Sequence, residues 1–254
     1  MIYIKNESEI AKMREANRIV GLLLHKMNDF IKPGISTFEL DRIAEDFILS
    51  QGAKPAFKGY SSSGLPPYPA SICTSVNSCI VHGIPSKKVI LNKGDIIGID
   101  VGTYKDGFCG DGACTYRVGK VSRDIERLLS VTREALDKAI HQARDGARVG
   151  DISYAIGSYV KQQGFFIADQ LTGHGIGKQM HEEPIVFNNG VKNKGPRLRK
   201  GMTIAIEPMV NIGTNRVREV GWEFFVKDNS LSAHYEKTIL ITDKEAEILS
   251  EYEA

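Results

Sequence analysis

No stretch of this sequence is apolar for the roughly 20 residues that a membrane-spanning helix needs, and the first residues, "MIYIKNESEIAKMREAN", run into a helix pattern without the apolar core of a signal peptide. Cysteine is scarce. Cys73, Cys79, Cys109 and Cys114 form no CxxC pair and no His/Cys zinc spacing, which excludes a disulfide framework and a structural zinc site. They read as small reduced side chains of a cytoplasmic protein. Charge of one sign is also lacking: 33 Lys+Arg against 31 Asp+Glu leave +2. That balance gives no footprint for a specific nucleic acid and no acidic tail. The basic "NKGPRLRK" reads as a solvated loop. No Pro/Ser-rich hinge divides the chain, so residues 1–254 are expected to form a single domain.

What is present is a repeat. "KPGISTFELDRIAEDFILSQGA" and "RDGARVGDISYAIGSYVKQQGF" align without gaps, pairing Gly34 with Gly146, Leu40 with Ile152, Phe47 with Tyr159 and Gln51-Gly52 with Gln163-Gly164. Each is a turn, an amphipathic helix and a glycine stop, and Ser36 with Glu39 forms a capping-box pattern. Each follows another amphipathic helix and precedes β-like runs. Two α/β halves related by a pseudo-twofold would place a cleft at their junction, a common position for a site.

Four acids stand in or beside apolar strands. "DIIGIDVGTYKDGFCGDGACTYRVG" reads as a hairpin turning at Asp106-Gly107. That turn sets Lys105 against Phe108 and Asp111 against Gly102, which leaves Asp100 and Asp111 as diagonal neighbours on one face, roughly 7–8 Å apart. "MTIAIEPMVNIG" ends an apolar run at Glu207, and "SLSAHYEKTILIT" begins one at Glu236. Buried acids on one face repel unless something positive lies between them. An Arg–carboxylate network is one solution. Two divalent cations are the other, balancing the four charges and leaving a neutral His174 free to ligate. Five side chains then require bridging carboxylates, as in two-metal hydrolases. Oxygen-rich ligation with one imidazole suits Mn, Fe, Co or Zn.

His174 lies in "LTGHGIGKQMHEEP", seven residues before His181. The three glycines argue against a helix and predict a bent strand or loop with both imidazoles turned into one site. A phosphate-binding glycine loop and a plain turn are the competing readings, the former lacking the strand–helix–acid context of a dinucleotide site.

Taken together, "VHGIP", "IIGIDVGTYKDGFCGD", "GHGIGKQMHEEP", "IEPMV" and "SLSAHYEKTI" resemble the type I methionine aminopeptidases, the pita-bread metallopeptidases that remove the initiator methionine. The resemblance covers nearly the whole chain, in the minimal bacterial form. It implies an α+β pita-bread fold of duplicated halves around a central antiparallel sheet. It also implies two divalent metal ions (Co, Mn, Fe or Zn) held by Asp100, Asp111, His174, Glu207 and Glu236, with Asp111 and Glu236 bridging and Asp100 chelating. The implied reaction is attack on the first peptide bond by water activated between the metals, when the second residue is small. Glu207 would shuttle the proton, His181 would donate to the carbonyl oxygen, and His82 would contact the next amide nitrogen. The implied partners are the N-terminal Met of nascent peptides and, transiently, the ribosome, for a monomer in the cytoplasm. A monovalent cation near Asn77 and Ser232 is also within the family's range.

The family's methionine pocket falls on Tyr60, Tyr68, Cys73, Met180 and Trp222, with Phe57 where a small cysteine often sits. Two departures concern its shape: Met180 replaces a common phenylalanine, and the 61–67 loop in "YSSSGLPPYPAS" is longer than in short bacterial forms. A proline-specific peptidase of the same fold and a metal-free binding protein for RNA or ribosomes are the alternative functions.

Overall fold

The structure, a computed structural model, describes residues 2–61 and 64–252. Ser62 and Ser63 of the 61–67 loop lie outside the described residues. Helix α1, Glu7–Met27, starts at Asn6, whose side chain accepts from the Glu9 amide while Glu9 accepts from the Asn6 amide. Its buried stripe of Met13, Ala16, Val20, Leu23 and Met27 follows helical spacing. Helix α2, Thr37–Ser50, has the expected capping box at Ser36 and Glu39. Helices α3, Arg123–Ile140, and α4, Val149–Gln162, form the second pair. No helix among the described residues is long and apolar enough to cross a membrane.

The repeat holds in three dimensions. Helices α2 and α4 start 112 residues apart (37 to 149) and end at the same offset. So do the short strands that follow them, Lys54–Pro55 and Phe166–Ile167. Gly34 and Gly146 enter the helices at φ 94 and 86, and Gly52 and Gly164 leave them at φ 66 and 78. These are left-handed conformations that favour glycine, so the matched glycines mark one backbone path used twice. Where Ser36 and Glu39 cap α2, Asp151 accepts from the Arg148 amide at 2.8 Å at the start of α4.

The helices cover one face of an antiparallel sheet. Its main path runs Lys54–Pro55, Ile96–Lys105, Phe108–Arg117, Glu236–Leu240, Thr203–Ile206, Thr172–Gly175, Glu182–Phe187. The hairpin turns at Asp106 (φ 51) and Gly107 (φ 87), and Gly102 pairs with Asp111. Gly110 and Gly112 face the helices: a Cβ at Gly110 would meet the Ala16 backbone at 2.7 Å. Ile97, Ile99 and Val101 point the same way, into the main core with Val20, Leu23 and Leu40. The opposite face is thereby left for Asp100 and Asp111.

Candidate metal centre

Five adjacent strands bring Asp100, Asp111, Glu236, Glu207 and His174, in that order, to that free face, Glu207 from the position just past Thr203–Ile206. The register explains why they converge. Asp100 and Glu236 both pair with Ala113, from opposite sides, and Asp111 is two residues from Ala113 on the same strand. Two residues beyond Glu236, Thr238 pairs with Ala205, which also pairs with His174. Glu207 is two residues beyond Ala205. Directly opposed residues and i, i+2 neighbours share a face, so all five point one way. The alanines among them leave room.

His174 Nε2 lies 3.6 Å from Asp111 Oδ2 and 3.6 Å from Glu207 Oε1. Asp111, His174 and Glu236 offer ligand atoms within 4.8 Å of one another, and so do Glu207, His234 and Glu236. Among the described residues, no lysine or arginine pairs with Asp100, Asp111, Glu207 or Glu236; their charged neighbours are histidines and one another. That removes the Arg–carboxylate alternative. Asp100 Oδ1 and Glu236 Oε1 are buried without a hydrogen-bond partner. His174 Nδ1 lies 2.9 Å from the Gly175 carbonyl. With Nδ1–H donating there, the Nε2 lone pair is directed at the carboxylates, the tautomer a metal ligand requires. Orphaned oxygens, clustered acids and one preset imidazole fit a divalent-metal site.

Burial sets the electrostatics. It pushes Asp100 up to about 7 and Glu207 up to about 8. Asp111 and Glu236 are driven well above the carboxylate range by burial and then by their carboxylate neighbours. His174 falls to about 3 and His82 to about 4, again chiefly through burial. Without a cation, burial makes the acids keep their protons to higher pH, and the imidazoles lose theirs at lower pH, than in water.

His181 reaches the same site. Its ring stands edge-on to His174 at 4.4 Å between centroids, and Tyr60 Oη lies 2.8 Å from its Nδ1. The segment is a strand, Thr172–Gly175, hairpinned to Glu182–Phe187, with a register shift between Gly173 and Gly175. The segment is thus the bent strand expected from the sequence, and its glycines serve close packing. Gly173, Gly175 and Gly177 keep ordinary φ; a Cβ at Gly173 would meet the Ala205 carbonyl oxygen at 2.4 Å and one at Gly175 the Glu183 carbonyl oxygen at 2.2 Å. They admit neighbouring backbone. Gly177 makes room for Lys5, whose Nζ pairs with Glu182 at 2.9 Å and fixes the residue beside His181.

A cavity of about 70 Å³ opens over the cluster, lined by Asp100, Asp111, His174, Glu207 and Glu236 on the polar side. Phe57, Tyr60, Tyr68, Cys73 and Trp222 form its apolar wall, with His82 and His181 between. Met180 is buried behind this wall, packed in one cluster with Phe57 and Tyr60. His82 holds φ 59, an uncommon conformation for a residue with a Cβ. Its ring stands edge-on to Trp222 at 6.4 Å and to Phe224 at 5.5 Å. The Trp222 indole N–H donates to the Pro66 carbonyl at 2.8 Å, which ties the 61–67 loop to the wall. Elsewhere, the Ser232 amide donates to the Asn77 carbonyl at 3.0 Å. One residue that the sequence reading passed over stands inside the cluster: His234, two positions before Glu236, with Nε2 3.4 Å from Glu207 Oε2.

Fold and site together define a metallopeptidase: the model of metallopeptidase family M24 matches residues 11–243, and the chain belongs to that family. The relatives are more specific. A methionine aminopeptidase of Clostridium acetobutylicum is 46% identical over 98% of this chain and 99% of its own length, and methionine aminopeptidase 1 of Bacillus subtilis is 47% identical over the same shares. Crystal structures of methionine aminopeptidases from Rickettsia prowazekii and Thermotoga maritima superpose with TM-scores of 0.94 and 0.95. The first is 39% identical over 98% of this chain and all of that one; the second is 42% identical over 99% and all of that one. The pita-bread fold is therefore observed. A prolidase from Pyrococcus horikoshii shares the fold at TM-score 0.79 and 24% identity, and the match covers 98% of this chain but 64% of that one.

Two outcomes follow from the cluster. His174→Ala should lose bound metal, while His181→Ala should retain it, as read by metal analysis after dialysis; the reverse pattern would interchange the two histidines. The second concerns pH. Folding raises the acids, which adds bound protons, and lowers the histidines, which removes them, so the two effects oppose each other between about pH 4 and 6.5. Above 6.5 the unfolded histidines are neutral too. Within the cluster, Asp100, near 7, and Glu207, near 8, then release protons on the folded side, and burial raises Asp111 and Glu236 in the same direction. Chelated protein should therefore lose stability as pH rises from about 6.5 to 8, and saturating Mn(II) should flatten that decline. A chelated protein whose Tm is level across this window would contradict buried, protonated acids.

Proposed function

We propose that this chain is a methionine aminopeptidase that removes the N-terminal methionine of nascent polypeptides when the second residue is small. The observation that carries the reading is the five-residue donor set lying directly beneath an aromatic-walled cavity. The names of the relatives support it. Asp100, Asp111, His174, Glu207 and Glu236 would hold two divalent ions, which, when bound, supply Lewis-acid polarisation and a water of lowered pKa.

The chain's own residues do the rest. Glu207 borders the cavity and takes the proton of the attacking water. With the Tyr60 hydroxyl donating to His181 Nδ1, 2.8 Å away, the neutral imidazole carries its proton on Nε2. That N–H donates to the substrate carbonyl oxygen as negative charge develops there. His82, held by the rings of Trp222 and Phe224, contacts the amide nitrogen of the second residue and orients the peptide. Phe57, Tyr60, Tyr68, Cys73 and Trp222 receive the linear thioether, and Met180 shapes the pocket from behind Phe57. The 61–67 loop acts on that pocket through Pro66 and Trp222. Residues 1–254 form one catalytic domain. The setting is the cytoplasm, with a monomer meeting chains at the ribosome. A monovalent cation beside Asn77 and Ser232 belongs to the same reading.

Chelated protein should cleave Met-Ala-Ser only after Mn, Co or Fe is restored. kcat/KM should be far lower for Leu-Ala-Ser and for Met-Lys-Ser. Apolar contact alone discriminates by about 1–3 kcal/mol, so strong rejection of Leu requires a clash with Tyr60, Tyr68 or Trp222. Shortening the 61–67 loop should move KM while both metals stay bound. Equal turnover of the Met and Leu peptides would refute the methionine assignment, and cleavage by verified metal-free protein would refute the mechanism.

A further inference from the structure

One buried titratable side chain in the cluster has no part in the chemistry above. His234 ends the strand Ser232–His234 and is 3% exposed. A single hydroxyl fixes its backbone: Thr115 Oγ1 accepts from the His234 amide at 2.9 Å and donates to the His234 carbonyl at 2.8 Å. The strand pairs His234 with Met209, two residues past Glu207. The imidazole is thereby aimed at the Glu207 carboxylate. Its Nε2 lies 3.4 Å from Glu207 Oε2 and 4.0 Å from Glu236 Oε2, and it is buried with no hydrogen-bond partner.

The two oxygens of Glu207 are divided. Oε1 faces His174 Nε2 at 3.6 Å, on the side where His174 also faces Asp111. Oε2 faces His234. Unlike His174, His234 does not line the cavity. It lies behind the carboxylates, away from the space a substrate would enter.

We propose that His234 is a positioning residue for Glu207: its Nε2–H donates to Oε2 and so presents Oε1 to the metal position shared with His174 and Asp111. The inference rests on the metal-binding reading of the cluster. The contact needs to shorten by only about 0.2 Å to enter the ordinary N–H···O range, which a small rotation of the carboxylate achieves. Ligating carboxylates are commonly held this way from behind, and losing such a partner typically costs 10–100-fold in metal affinity or activity.

The test compares His234→Gln, which keeps an N–H donor of similar reach, with His234→Leu, which keeps bulk and loses the donor. Mn(II) affinity is measured by titration, coordinated imidazoles are counted by pulsed EPR on Mn(II)-loaded protein, and kcat and KM are measured on Met-Ala-Ser. His234→Leu should bind Mn(II) 10–100-fold more weakly and lose kcat with little change in KM. His234→Gln should recover most of both losses. The imidazole count should be one in the parent and in both variants. Parental affinity and kcat in a folded His234→Leu would overturn the proposal. So would a second coordinated imidazole in the parent that disappears in His234→Gln, since His234 would then be a ligand. If His234→Leu does not fold, His234→Asn replaces it: its shorter donor should fail to rescue, and parental affinity there would count against the proposal. The affinity and EPR measurements decide the role of His234 even if the parent cleaves no methionyl peptide, an outcome that would sink the proposed substrate alone.

Discussion

Four carboxylates pointing to one face of a sheet, with no lysine or arginine beside them among the described residues, cannot all be ionised inside a protein without compensating positive charge. Either protons or cations must neutralise them. Much of the surrounding architecture serves to keep them in that position. The alternation of the hairpin sends Ile97, Ile99 and Val101 to the helices and Asp100 to the cavity. Ala113 and Ala205 occupy register positions between the acidic strands, where larger side chains would separate the ligands. Helix α1 reaches through from the far face: the Asn17 side chain accepts from the Asp111 amide at 3.1 Å and anchors the strand that carries a central acid.

The duplicated halves bring together chemistry that neither half holds alone. Asp100 and Asp111 follow the first helix pair in sequence, whereas His174, Glu207 and Glu236 follow the second. The central sheet joins them where Phe108–Arg117 meets Glu236–Leu240. The aromatic wall is assembled in a similar way. Tyr68 and Trp222 meet edge-on at 5.6 Å although they are distant in sequence. The donor set and the aromatic residues thus line one small cavity.

Much of this was legible in the sequence because it depends on local rules. Asp106-Gly107 fixed the hairpin register, and the register fixed the relation of Asp100 to Asp111. The glycines bracketing α2 and α4 stood out because left-handed φ leaves few alternatives. Other features follow from long-range packing and left no local pattern. The spatial order of the acidic strands differs from their order in the chain. Lys5 meets Glu182 across 177 residues, and nothing near Lys5 announces a buried cation. The glycines flanking His174 exclude a helix, but their use, accommodating backbone from neighbouring strands, depends on partners that the sequence does not show beside them. His234 lies in "SLSAHYEKTI", but a lone histidine in a strand looks like any core residue until Glu207 is placed opposite it. The donor set itself came from apolar patterning, which betrays acids where water is excluded, joined to the family resemblance.

The claim on which the rest depends is that divalent cations, and not protons, neutralise the four acids in the working protein. Anomalous diffraction from crystals soaked in Co(II), with data collected at the cobalt edge, tests it most directly. Strong anomalous density is expected, enclosed by Asp111, His174, Glu207 and Glu236, with Asp100 on its border. Density confined to surface carboxylates, with this cluster left free of cobalt at saturating concentration and neutral pH, would contradict it.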